Sequence, residues 1–193
     1  MYQKLKTAIN LISPIDEEDW SVLEPQLNVR EYKKLDYYLS ADEIENQIGF
    51  INEGSFKWYY INNKGEEVNF HFFFDNEFVV EFNSFLSQKP SKMFIQAMEN
   101  SQVILLPKRD KILETYAKSH NWERFGRIIS ETQFMHSSDR VQDFLFRSAE
   151  ERYLNLLKEH PDIFQRISLS NISSYLGIQG PSLSRIRKRI FKQ

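Results

Sequence analysis

The stretch that decides the fold runs from Leu169 to Ile190 and reads LSNISSYLGIQGPSLSRIRKRI. Ile172, Leu176, Ile178, Leu183 and Ile186 are spaced to meet in one small core when two short helices fold against each other. Gly177 falls between them, where a turn often requires positive φ. Pro181 is tolerated only in the first turn of the second helix, and that is where it stands. The spacing predicts a helix-turn-helix. Gln179, Gly180, Pro181, Ser184, Arg185 and Lys188 are left on the outer side of its second helix.

Those residue types suit DNA. A recognition helix offers polar groups to base edges near its N-terminal end, with cations and hydroxyls for the phosphates. Arg185 fits a bidentate contact to guanine O6 and N7, and Gln179 could read adenine. Ser170, Ser182, Arg187, Lys188 and Arg189 sit near helix starts or on the basic flank and are the phosphate candidates. An isolated run such as Arg187-Lys188-Arg189 is more commonly a solvated face. Here the charge distribution weighs against that reading. The chain as a whole is nearly balanced, with 25 Lys and Arg against 27 Asp and Glu. Yet Arg166 to Gln193 holds six basic residues (Arg166, Arg185, Arg187, Lys188, Arg189, Lys192) and no acid. Double-stranded DNA is therefore the expected partner.

Working outward, 193 residues make one large domain or two small ones, and 41% hydrophobic with 27% charged is ordinary for a globular protein. The absence of cysteine excludes disulfides, zinc-thiolate fingers, a thiol nucleophile and cysteine-held iron–sulfur clusters. No run approaches the ~18 apolar residues of a membrane helix, and no signal-like core follows Met1. A cytoplasmic chain without membrane contact is expected. His136-Ser137-Ser138-Asp139-Arg140 holds the residue types of a catalytic triad, but no glycine-rich elbow or oxyanion-forming turn surrounds it. A metal-dependent β-barrel enzyme would need His and acidic ligands on the strands, where only His71 lies. No catalytic residue, metal site or cofactor is expected.

Residues 28–106 read as short strands rich in Phe, Tyr, Ile and Val, with turn signals between them. Ser55–Ile61 and Glu66–Phe74 flank Asn62-Asn63-Lys64-Gly65, a hairpin tip. Val68, Phe70, Phe72 and Phe74 alternate with Asn69, His71 and Phe73, which predicts one apolar face. A barrel or jelly roll is the natural packing. Before the strands, Ser13 and Pro14 read as the start of a helix. After them, Arg109–Lys118 makes a short helix and Asn121 can cap a longer one reaching about Arg147. Such a helix is about 40 Å long and needs a partner for its stripe of Trp122, Phe125, Ile129 and Thr132. A second copy is the simplest partner, although Ser137-Ser138-Asp139 could break the helix. Ser148 with Glu151 reads as a capping box for the next helix, which stops at Pro161.

This order of elements, from about Leu5 to Ile190, resembles the Crp/Fnr family of bacterial transcription regulators. Gly54 and Gly65 stand where the family's β-roll keeps turn glycines, and Ile178–Ile186 where it has its recognition helix. The resemblance implies an α+β chain of three parts. These are a cyclic-nucleotide-binding-like β-roll sensor domain (1–120), a dimerisation helix and hinge (121–147) and a helix-turn-helix DNA-binding domain (148–193). It further implies a homodimer on an inverted repeat, in which a small-molecule effector shifts the spacing of the recognition helices. Activation would also require a surface for RNA polymerase.

The family's phosphate cassette is altered. Its Gly-Glu pair aligns with Val80-Glu81, and its Arg-Ser/Thr-Ala run with Ser91-Lys92-Met93. Lys92 cannot reproduce bidentate phosphate recognition by arginine, and Phe78, Phe82 and Phe85 add bulk. Control by cyclic AMP is therefore not expected. Glu81, Phe82 and Lys92 remain the candidate effector pocket. The alternative reading is a ligand-binding or protein-interaction β-roll module whose terminal helices do not bind DNA.

Overall fold

The computed structural model describes residues 2–190, so Lys192 of the basic tail lies outside the described residues. The first helix, α1 (Gln3–Ile12), buries Leu5 and Ile9, one turn apart on the same face. Ser13 ends this helix rather than starting the next. Its hydroxyl donates to the Asn121 carbonyl at 3.0 Å. The second helix, α2 (Glu17–Leu23), is capped by Asp16, whose carboxylate accepts from the Asp19 N–H at 2.8 Å. Three acids in its first turn complement the dipole.

Among the described residues eight strands follow: β1 (Asn28–Tyr32), β2 (Tyr37–Leu39), β3 (Gly49–Glu53), β4 (Phe56–Ile61), β5 (Glu67–Phe73), β6 (Phe78–Val79), β7 (Phe94–Ala97) and β8 (Ser101–Leu105). A short helix, α3 (Phe82–Ser87), separates β6 from β7. The strands form two four-stranded sheets, in the orders β1-β8-β3-β6 and β2-β7-β4-β5. Strand β8 is the antiparallel partner of both β1 and β3, so Leu105 stands opposite Asn28 on one side and Gly49 on the other. Strand alternation divides the buried side chains. Phe50 and Ile104 join the helical core with Leu5, Ile9, Trp20 and Leu23, while Ile51 and Val103 are buried outside that cluster.

Gly54 links β3 to β4 at φ +113°. A Cβ there would stand 2.1 Å from Ser101 Oγ and 2.7 Å from Ser101 Cα, and backbone cannot step aside. Gly54→Ala should therefore cost about 3 kcal/mol or more, a Tm fall of roughly 6–12 °C in a thermal melt. A fall of a degree or two would show that the turn has room to rearrange.

Past β8 the chain is helical: α4 (Arg109–Lys118), α5 (His120–Phe146), α6 (Ala149–Glu159), α7 (Ile163–Arg166), α8 (Leu169–Tyr175) and α9 (Gly180–Ile190). Helix α5 is 27 residues long and passes unbroken through Ser137-Ser138-Asp139. Asn121 lies inside it, and the Trp122 N–H meets the Ser119 hydroxyl at 3.4 Å. Helix α6 starts on the predicted capping box, with Ser148 and Glu151 each accepting from the other's backbone. No helix among the described residues is long and apolar enough to cross a membrane.

The chain forms two compact units. One takes the residues up to Trp58 together with Phe72–Phe134, and its core joins α1, α2, α4 and α5 to one sheet. The other takes Tyr59–His71 together with the chain from Met135 onward. Its buried residues include Tyr153, Leu156, Ile163, Ile167, Ile172, Leu176, Leu183 and Ile186. The hairpin tip thus packs with the terminal helices. That placement overturns the predicted face alternation of β5, because polar Asn69 is buried while Val68 and Phe70 are only half-buried.

Candidate nucleic-acid interface

The helix-turn-helix forms as its spacing requires. Ser168 caps α8 by accepting from the Asn171 N–H at 3.2 Å. At the other end the Gly177 N–H donates to the Ser174 carbonyl and the Ile178 N–H to the Ser173 carbonyl, both at 3.0 Å. Gly177 adopts φ +66°, and a Cβ there would meet the Phe144 ring at 2.6 Å. Ile172, Leu176, Leu183 and Ile186 form the small core. The Gln179 carbonyl accepts from the Ser182 and Leu183 N–H groups, which opens α9 with Gly180 and Pro181 in its first turn.

Two arginines that the sequence reading did not single out fix this turn. Arg152 donates through Nη2 at 2.9 Å and through Nε at 3.3 Å to the Leu176 carbonyl, and its guanidinium lies 4.7 Å from the Phe144 ring centre. Arg140 donates to the carbonyls of Tyr175 and Asn69 and lies between the Phe144 and Tyr175 rings, 4.4 and 3.8 Å from their centres. Burial lowers the pKa of Arg140, while Tyr175 and Asp143 act against that shift. Nearby, the His71 ring stands 5.7 Å from that of His136. Burial pushes the His71 pKa down to about 3, and the nearby His136, His160 and Arg140 add to the effect.

Ser170, Gln179, Gly180, Pro181, Ser184, Arg185, Lys188 and Arg189 are exposed, and Ser182 is half-buried. Arg185 Nη2 rests 3.3 Å from Ser182 Oγ, which places the long side chain beside the start of its own helix. Two of the predicted phosphate residues have partners within the chain. Arg187 turns inward and stacks its guanidinium 4.6 Å from the Phe164 ring centre, so packing accounts for it. Arg189 pairs with Glu150 of α6 at 2.6 Å, which offsets its charge in the free protein. The segment before α8 is the helical turn α7, whose Ile163 is buried.

The stripe assigned to dimerisation also needs correction. Trp122 and Phe125 are 0% exposed and Ile129 is 5% exposed, all within the core of the first unit. That face of α5 is already covered inside the subunit. Thr132 is exposed, and its hydroxyl donates to the Ile128 carbonyl at 2.8 Å. The uncovered apolar side chains of α5 are Phe134, Met135, Val141, Phe144, Leu145 and Phe146.

Of the candidate effector residues, Glu81 is buried and its carboxylate caps α3, accepting from the Asn83 and Ser84 N–H groups at 3.2 and 2.9 Å. Phe82 flanks the core and stacks on Phe85, while Lys92 is exposed. Ser91, aligned with the family's phosphate-clamping arginine, is buried, and its hydroxyl accepts from the Met93 N–H at 2.9 Å.

Residues 29–118 match the family model described as Cyclic nucleotide-binding domain. No curated protein matches the sequence significantly. Among solved structures, FixK2 of Bradyrhizobium japonicum superposes with a TM-score of 0.74 at 17% identity, covering 86% of this chain and 85% of that one. A protein described as a regulator of the crp/fnr family from Eubacterium rectale gives 0.70 at 15% identity over 91% and 83% of the two chains. The c-di-GMP-responsive global regulator CLP of Xanthomonas campestris gives 0.68 at 13% identity over 92% of each. The chain has the fold of the Crp/Fnr regulators. Within it, the β-roll is similar to cyclic nucleotide-binding domains over residues 29–118.

Proposed function

We propose that this protein is a sequence-specific DNA-binding transcription regulator of Crp/Fnr type. It acts without catalysis and as a homodimer on an inverted repeat. The observation that carries the reading is the second helix of the helix-turn-helix. Its apolar side is fully used in a small core, while Gln179, Ser184, Arg185 and Lys188 stand exposed on an acid-free segment. A purely structural helix has no need to leave those groups together on one side. Arg185 is the base-reading residue, and Ser170, Ser182 and Lys188 serve the phosphates.

Cyclic AMP is not the effector in this reading. Glu81 is committed to a helix cap, and buried Ser91 occupies the position where an arginine would clamp the phosphate. Any small-molecule effector and any contact with RNA polymerase use other chemistry.

The test is selection of bound genomic fragments by the purified protein, followed by titration of Arg185→Ala on the best one. Loss of a bidentate guanine contact should weaken binding by about 1–3 kcal/mol, roughly 5- to 150-fold, and relax the sequence preference at one position of each half-site. Wild-type affinity in the variant, or no shared motif among the fragments, would overturn the assignment.

A further inference from the structure

The hairpin tip between β4 and β5 is fastened to the helix-turn-helix by polar contacts rather than by apolar packing alone. The Asn69 backbone N–H donates to Ser174 Oγ at 3.0 Å, and its side-chain amide donates to the Asn171 carbonyl at 3.2 Å. Ser174 Oγ donates onward to the Glu67 carbonyl at 2.8 Å. Arg140 completes the join by donating to the Asn69 carbonyl at 3.3 Å. Asn69 and Arg140 are only 1% and 7% exposed, so these groups have left water to make the contact.

The contact is incompletely satisfied. Asn69 Oδ1 and Arg140 Nε and Nη1 are buried without a hydrogen-bond partner among the described residues. A buried network with orphaned members gains less from staying closed than a fully paired one, and opening it returns those groups to water. Such a join suits a contact that is made and broken.

The hairpin also brings charge. Glu66 and Glu67 line one cleft of about 440 Å³ together with Ser170 and Gln179, two residues of the proposed DNA face. Phosphates approaching that edge would meet two carboxylates, which repel them. Ser174 and Asn171 on the same edge are already engaged by Asn69. We propose that the hairpin tip Tyr59–His71 is an autoinhibitory latch. Docked on α8, it holds Glu66 and Glu67 against the DNA-binding edge, and DNA binding requires it to part from Ser174 and Asn171. The latch rests on the DNA-binding reading above.

The test uses the full chain, with genomic fragments selected by wild type and by the Glu66→Gln, Glu67→Gln double variant. On the best fragment the double variant should bind about tenfold tighter at low salt, and the gap should shrink as salt screens the carboxylates. Asn69→Ala keeps both acids and loosens only the docking, so it should also bind more tightly, which charge repulsion alone would not produce. Hydrogen exchange at the Asn69 amide gives a second readout. It should quicken about tenfold when the fragment is added to wild type, as the bond to Ser174 opens. Equal affinities within about twofold, from proteins that all bind DNA, would overturn the latch and leave the DNA reading standing. An Asn69 amide as protected in the complex as in the free protein would also overturn it. Binding by none of the proteins would overturn the DNA reading, and the latch with it.

Discussion

Changing Val141 and Leu145 together to glutamate should turn a dimer into a monomer and weaken binding to an inverted-repeat fragment by about 10²- to 10⁴-fold. The argument begins with helix geometry. At 100° per residue, the buried residues of α5, Trp122, Phe125, Gly126, Ile129 and Arg140, fall within one sector about 100° wide. Phe134, Ser138, Val141 and Leu145 recur at spacings of four, three and four, in a sector roughly opposite. Phe134 is 74% exposed, Val141 56% and Leu145 68%. Large apolar side chains left uncovered along one helical stripe mark an interaction surface, and a second copy of the same stripe covers them symmetrically. Joining two half-site readers makes the second binding event intramolecular, which is the source of the large factor. Glutamates at exposed sites should leave the monomer folded, so the melting curve and helical circular dichroism serve as controls. Sedimentation reads the association state. A variant that remains dimeric would place the seam elsewhere, and a monomeric wild type would remove the dimer from the proposal.

The helix-turn-helix was legible because its rules are local. Gly177 and Pro181 fit one position each in such a motif, and of the five apolar residues at fixed spacing four are buried as the core, with Ile178 only half-buried. The hairpin tip at Asn62–Gly65 and the capping box at Ser148 were legible for the same reason. What periodicity could not supply was the identity of the surface that each stripe meets. Trp122, Phe125 and Ile129 formed a correct helical stripe, but only the fold shows that α1, α2 and the sheet cover it. Asn69 sits at a polar position of a β alternation, where solvent is the usual neighbour. The helix that covers it, α8, lies about a hundred residues further along the chain. Arg140 and Arg152 were hidden in the same way. An arginine in a charged helix reads as surface until the Tyr175 and Leu176 carbonyls are seen to accept from it. One signal was present for Arg140. It falls eleven residues after Ile129, three helical turns on, and so returns to the buried side.

Glu45 yields the other large effect, on stability rather than on binding. It is 5% exposed, with Oε1 accepting from the Asn46 and Gln47 N–H groups at 3.1 and 3.2 Å. Oε2 is buried with no hydrogen-bond partner among the described residues. Burial raises its pKa from the ordinary 4.5 to about 8, against the lowering effect of neighbouring backbone N–H groups, while the Glu81 carboxylate adds to the rise. The folded protein therefore holds this proton more tightly than the unfolded chain does. Its contribution is fully favourable below about pH 4.5 and is lost progressively until the pH passes about 8. At about 1.4 kcal/mol per pKa unit the loss is on the order of 5 kcal/mol, a large share of a typical domain's stability. Glu45→Gln keeps the Oε1 acceptor and places an uncharged amide where the protonated acid stood, so it should abolish this slope. Urea unfolding at pH 5, 6.5 and 8 should show the wild type losing stability relative to the variant at each step, with the variant the more stable at pH 8. Parallel curves across that range would mean that Glu45 is solvated or paired in the folded protein, and the buried neutral acid would have to be abandoned.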